Sequence, residues 1–321
     1  MLNSPSWHHY ETADQAAAYR RGRPTVGAAL RRRILAYLGE QVGGRGVTSL
    51  ERSNSPHIQA VFATSNSPFP IPESRWTRYL DAACGHGASS LALAQSMPSA
   101  VEVVCTDLSA AMVAEARELF ESRGRPASCV VGDASRRLPV AAEGSVDLVT
   151  VFCAFHWLDE AAFFAEAQRV LKPAGVLAVA TYGFPLFRSD RWTRPQAADF
   201  RSAVWEFTRE CFKQDETAFE GVQEILSEYK NVRLPFEEQR LFRSDPSLHE
   251  SRWGRLSDVW LLVESFSMFQ RLMLERPTRW RAEYELMKRK ARGCLPEDGN
   301  GDDTPVELVT TWFLLMARKP H

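Results

Sequence analysis

The chain has 321 residues, 45% of them hydrophobic, with a net charge of −1 and a pI of about 6.7. That length sets an expectation of about two domains, and the near-zero charge excludes a global field drawing the chain to nucleic acid or an anionic membrane. No apolar run reaches the ~20 residues that cross a bilayer, so no membrane span is expected.

Met1-Leu2-Asn3-Ser4-Pro5 lacks the basic-then-apolar pattern of a secretory leader. The six cysteines form no C-x-x-C pair, and four lie on or beside predicted strands. They read as buried, reduced thiols of a cytoplasmic protein, with no metal site expected.

Residues 1–41 read as helical, with a break near Tyr19, Arg23 and Pro24 and an amphipathic helix over Ala28–Leu38. Residues 42–74 are rich in Gly, Ser, Asn and Pro. A structureless loop of that length is uncommon inside a domain, so it reads as a flexible insertion. An α/β core is expected over residues 75–182.

Its opening is the most informative stretch of the chain. In Tyr79-Leu80-Asp81-Ala82-Ala83-Cys84-Gly85-His86-Gly87 an apolar run leads to an acid, two glycines and a helical run from Ala88 to Gln95. That is strand, tight turn and helix. Glycines let the backbone approach a ligand closely, and the helix N-terminus offers free N–H groups to an anion. Asp81 repels a pyrophosphate but suits a ligand carrying an ammonium beside a carboxylate, such as the methionine end of S-adenosylmethionine.

Val101–Asp107 is a second apolar run ending in an acid, about 20 residues on, where a carboxylate meets ribose hydroxyls. Ser109 N-caps the following helix, Ala110–Ser122. Ser128–Asp133, Val146–Phe152 and Leu177–Thr181 continue the series, the last after the turn Lys172-Pro173-Ala174-Gly175. Short Val-rich runs alternating with helices predict a parallel sheet in a doubly wound α/β domain, with ligands beyond the strand C-termini.

Beyond the core, residues 183–229 read as helical and aromatic-rich, and Val232–Phe242 as a strand. Leu256–Leu274 and Thr278–Ala291 read as helices and Val306–Ala317 as a final strand. Arg31-Arg32-Arg33 and the basic residues of 276–292 read as solvated helix faces, so no nucleic-acid partner is expected. Trp280, Tyr284 and Met287 have the spacing of a buried helical stripe.

The ordered series resembles the class I S-adenosylmethionine-dependent methyltransferases, in the small-molecule branch that includes trans-aconitate methyltransferases. Its carriers are Asp81–Gly87, Asp107-Leu108-Ser109, Gly132-Asp133-Ala134, Phe155-His156-Trp157-Leu158-Asp159 and Leu171–Gly175. The resemblance implies a Rossmann-like, seven-stranded, mostly parallel sheet under a helical lid. It implies residues 1–41 as a cofactor cover, 75–182 as the binding core, 183–229 as the lid and 230–321 as the part closing the sheet. S-Adenosylmethionine is the implied cofactor, held by Tyr19, Arg23, Asp81, Ala83, Gly85, Gly87, Asp107, Leu108, Met112, Asp133, Ala134 and Phe152. Asp133 and Ala134 would face the adenine, Leu108 and Met112 flank it, and Tyr19 and Arg23 meet the cofactor's carboxylate. The family pattern has glycine where Ala83 stands.

His156 and Trp157 are the candidate catalytic residues. The indole N–H is a donor suited to a substrate carboxylate, and an imidazole can act as a base near neutrality. Arg23, Arg188 and Arg194 are candidate cations for such a substrate. The expected activity is methyl transfer to a small molecule, with a carboxylate as nucleophile. Two alternatives stay open: another small nucleophile with His156 as base, and a non-catalytic cofactor-binding or partner-binding protein.

Overall fold

The computed structural model describes residues 10, 12–40, 76–138 and 142–321. The insertion expected over 42–74 lies outside the described residues.

Strands β1 (Arg78–Ala82), β2 (Glu102–Asp107), β3 (Ser128–Val131) and β4 (Val146–Phe152) pair in parallel in the order β3-β2-β1-β4. β5 (Leu171–Tyr182) continues parallel on β4. The predicted turn Lys172–Gly175 lies inside β5 as an irregularity, where the register shifts between Val146 and Leu148. β9 (Pro305–Arg318) runs antiparallel to β5, and β7 (Glu238–Phe242) pairs antiparallel on its other edge. These seven strands are the expected main sheet.

Two more strands were not anticipated. β6 (Leu186–Arg188) and β8 (His249–Arg255) pair with the first half of β9 in a smaller sheet. β9 spans 14 residues, long enough to serve both sheets in turn. β8 is mostly exposed and lacks apolar alternation, which is why no strand signal marks it.

Side chains alternate across the sheet as the period of two requires. Tyr79, Val103 and Cys105 pack under α2 (Ala28–Gly39), α3 (Ala88–Ala94) and α4 (Ala110–Ser122). Leu80, Val104 and Val149 face the other way, onto Phe163 and Phe164 of α5 (Glu160–Val170). Both faces are therefore covered, as a parallel sheet requires.

A separate apolar cluster holds the lid together. It joins α6 (Arg194–Phe212), α7 (Glu216–Leu226), α8 (Leu256–Glu264), α9 (Ser267–Glu275) and α10 (Pro277–Gly293). Trp280, Tyr284, Met287 and Ala291 form the buried stripe of α10. The single helix expected over Leu256–Leu274 is two, because Phe266 is extended at ψ 127°. That break carries Phe266 inward.

α1 (Ala13–Gly22) is capped reciprocally by Thr12 and Gln15 and packs on α8 and α4. Gly22 permits the contact with α8: a Cβ there would stand 2.3 Å from the Leu261 carbonyl oxygen. Among the described residues no helix is long and apolar enough to cross a membrane.

Candidate active site

The strand C-termini, α1 and the lid enclose a cavity of about 1420 Å³. Pockets for one drug-sized ligand run to roughly 300–1,000 Å³, so this one has room for two small molecules.

The glycine turn forms its floor. Ala83, Gly85 and Gly87 have φ of 54°, 56° and 79°, all left-handed. Ala83 is thus an alanine in a conformation that favours glycine, a strain of roughly 1–2 kcal/mol. The Gly85 N–H donates to Asp107 Oδ2 at 2.8 Å, and the Ser109 N–H donates to Oδ1 at 2.9 Å. Asp107 therefore joins the turn after β1 to the turn after β2, and its oxygens keep further acceptor capacity. Burial raises its pKa, opposed by the N–H groups of Ser109, Gly85 and Leu108.

Two expected ligand residues stand elsewhere. Asp81 does not line the cavity. It is fully buried behind the turn, where Ser90 and Thr150 hydroxyls donate to its carboxylate. Burial pushes its pKa up to about 7 against those hydroxyls. Gly87 also faces away: a Cβ there would meet Ala116 Cβ at 3.0 Å and Phe120 at 3.3 Å. Its glycine serves the approach of α3 to α4. Both residues shape the turn from behind, and neither lines the cavity.

The remaining candidates come together around the cavity. Leu108, 54% exposed, stands at its rim, while Met112 and Ala134 are buried in its wall. Asp133 lines it too, with Oδ1 accepting from the Ser135 N–H at 2.9 Å and Oδ2 3.2 Å from Arg136 Nε. Phe152 closes the end of β4.

The N-terminal element supplies a buried cation. Arg23 Nη1 donates to the Tyr182 hydroxyl at 3.2 Å, and its guanidinium lies 4.5 Å from the Phe266 ring centroid and 5.2 Å from that of Tyr19. Its Nε is buried with no hydrogen-bond partner. No carboxylate of the described residues pairs with it. Contacts continue from Tyr19 to the turn, for a Cβ on Gly85 would stand 3.8 Å from Tyr19 Cε1. Tyr10 ties this element across the cavity: Ser109 Oγ donates to its carbonyl at 2.6 Å and its hydroxyl donates to the Ser265 carbonyl at 2.8 Å. Tyr182 is pushed up to about 12 by burial, and His86, against Tyr19, down to about 4 by burial and then Arg20. Both are neutral at pH 7.

Phe155–Trp157 form a single 3-10 turn after β4. His156 Nδ1 and the Tyr229 hydroxyl are 2.9 Å apart, and the His156 and Trp157 rings lie 4.8 Å apart. Tyr229 is fully buried at the end of the segment following α7. Cys153, at φ 57°, also lines the wall, and burial pushes its thiol up to about 11, which keeps it from being a thiolate nucleophile. Arg188 and Arg194 do not line the cavity, and Arg188 stands 4.0 Å from Glu307.

Sequence reasoning missed Tyr182, Tyr229, Phe266 and His86 as parts of the site. The first three sit at element ends with no local motif. His86 lay inside the glycine turn and was legible by position.

Residues 80–175 match the family described as a methyltransferase domain. A malonyl-(acyl-carrier protein) O-methyltransferase of Geobacter sulfurreducens is 38% identical over 41% of this chain and 46% of its own. A trans-aconitate 2-methyltransferase of Deinococcus radiodurans is 33% identical over 43% of this chain and 51% of its own. The chain spans about half the length of these curated relatives. A protein of Anaeromyxobacter dehalogenans assigned as a type II methyltransferase shares the fold, with a TM-score of 0.56 and 20% identity over 77% of this chain and 92% of that one. The α/β core is a class I S-adenosylmethionine-dependent methyltransferase domain. Its similarities fall in the small-molecule branch of that class.

Proposed function

We propose that the chain transfers a methyl group from S-adenosylmethionine to a small-molecule carboxylate. The observation that carries this reading is that the cavity holds both Asp107, bonded to the glycine turn, and Arg23, a buried guanidinium with no carboxylate partner among the described residues. A ligand with vicinal hydroxyls and an amino-acid carboxylate satisfies both. Asp107 accepts from the ribose hydroxyls, Arg23 takes the carboxylate, and Asp133, Ala134, Leu108 and Met112 surround the adenine. The cofactor supplies an electrophilic methyl group when bound. The protein's contribution is then alignment and exclusion of water, and alignment alone is worth up to ~7–11 kcal/mol in favourable systems.

The His156–Tyr229 contact favours a carboxylate over a nucleophile that needs a base. A buried phenol that donates to nothing costs roughly 1–3 kcal/mol. The Tyr229 hydroxyl lies 2.9 Å from His156 Nδ1, and we take the tautomer in which Nδ1 accepts, so that the phenol donates to it. In the neutral imidazole the ring proton then sits on Nε2. His156 is thereby a donor at Nε2, like the indole N–H of Trp157. Two donors suit a carboxylate, which is already ionised at pH 7.

The test uses methyl-labelled S-adenosylmethionine and a panel of small acids. Label returned as methanol by mild base identifies an ester. A rate that falls steeply below about pH 6.5, and loses that dependence in His156→Ala, replaces the carboxylate with a base-dependent nucleophile. Absence of calorimetric heat with S-adenosylhomocysteine sinks the enzyme reading altogether.

A further inference from the structure

The lid contributes ten residues to the cavity, from Gly183 to Leu226, and none is charged. Phe184, Trp205, Phe212, Val222, Ile225 and Leu226 supply the apolar wall. The Phe184 and Trp205 rings lie 4.9 Å apart, and Phe212 packs edge-on against Phe266 at 6.1 Å. Thr208 Oγ1 donates to the Val204 carbonyl within its own helix at 2.9 Å. Leu226, 44% exposed, is an apolar residue at the margin.

Cations are scarce throughout the cavity. Among the described residues, Arg23 and Arg136 are the arginines that line it, with no lysine. Arg136 is paired with Asp133, and Arg23 belongs to the cofactor's carboxylate in the reading above. A second or third carboxylate on the substrate would therefore be desolvated against hydrocarbon and aromatic faces. Burying an ion without a partner costs several kcal/mol. An alkyl or aryl body placed there instead gains roughly 25 cal/mol for each Å² removed from water.

We propose that the acceptor substrate is a single-headed apolar acid: one reacting carboxylate on an aromatic or medium-length alkyl body, with polycarboxylates excluded. This rests on the methyltransferase reading. The head meets His156 and Trp157, and the body lies against the lid wall.

The experiment measures binding, so that it does not depend on turnover. The full chain is saturated with S-adenosylhomocysteine and titrated by calorimetry with decanoate and 3-phenylpropanoate, then with citrate and trans-aconitate. The monoacids are expected to bind at least ten-fold tighter than either polyacid. Trp205→Ala is expected to weaken the monoacids at least five-fold. Leu226→Arg, at an exposed position near a helix C-terminus where a cation is tolerated, is expected to narrow the preference at least three-fold. Circular dichroism melts confirm that both variants fold. Polyacids binding as tightly as monoacids, monoacids failing to bind, or a preference unmoved in both variants overturns the proposal. Failure of S-adenosylhomocysteine itself to bind overturns the methyltransferase reading instead, and is visible in the first titration.

Discussion

Replacing Arg23 with methionine separates a ligand-binding cation from a structural one. The guanidinium donates to the Tyr182 hydroxyl at 3.2 Å, also hydrogen-bonds the Tyr10 side chain, and faces two rings at 4.5 and 5.2 Å. Each hydrogen bond contributes about 1.5–3 kcal/mol at most and each ring contact about 0.5–1. Against these stand the unpartnered buried Nε, costing about 1–3 kcal/mol, and the desolvation of a charge without a counterion. The two sides nearly cancel. Methionine keeps an unbranched stem in the same space, so Arg23→Met is expected to change stability by no more than about 1 kcal/mol. For a chain of this size that is a melting shift of about 2–4 °C.

Binding answers differently. Removing one partner of a buried charge pair costs about 2–5 kcal/mol, or roughly 30-fold and more in affinity. S-Adenosylhomocysteine titrated by calorimetry is therefore expected to bind at least 30-fold more weakly to the variant. Methylthioadenosine, which lacks the amino-acid carboxylate, is expected to bind both proteins within about three-fold. A melting point lowered by more than 10 °C with both affinities unchanged would falsify the assignment and make Arg23 a structural residue. Equal losses for both ligands would mean that the substitution deforms the cavity.

Three further outcomes follow from the turn. Ala83→Gly relieves the φ of 54° at a cost of about 0.5–1 kcal/mol in unfolded-chain entropy and removes a methyl group from the cavity floor, so the melt is expected to hold or rise slightly and S-adenosylhomocysteine to bind more tightly; weaker binding refutes the idea that this methyl group crowds the cofactor. Gly87→Ala combines a φ of 79° with a Cβ 3.0 Å from Ala116, and is expected to lose about 1–3 kcal/mol in a chemical melt; a neutral result means α3 and α4 can separate freely. Asp81 is held at about 7 by burial, above its unfolded value of 3.8, so the native state binds the extra proton and stability falls as pH rises from about 4 to 7. Asp81→Asn is expected to flatten that window and to stabilise the fold at pH 8, by an amount on the order of 4 kcal/mol at most; parallel stability profiles for the two proteins refute it.

The core of this protein was legible because its signals are local. A strand with apolar residues on both faces, a glycine turn and a capped helix each depend on residues within a turn or two. The parallel series β1 to β5, the helices between them and the cavity positions of Gly85 and Asp107 could be read from spacing, and the family resemblance added Asp133, His156 and Trp157. Tertiary structure decided the rest. Asp81 was the acid that discriminated between ligands, yet Ser90 and Thr150 hydroxyls donate to its carboxylate from other elements, and no spacing rule shows that. Gly87 looked like a ligand glycine because its reason, the Ala116 surface, lies about 30 residues away. Tyr182, Phe266 and Tyr229 enter the site only because β5, a helix break and a loop end converge there. The charge of a cavity is likewise a property of the assembled wall. Sequence offered Arg188 and Arg194 as substrate cations, and the packed lid turns an uncharged, aromatic face inward instead. Local order follows from backbone geometry and hydrophobic period, whereas which side chain reaches a ligand follows from which distant neighbour has already taken its hydrogen bonds.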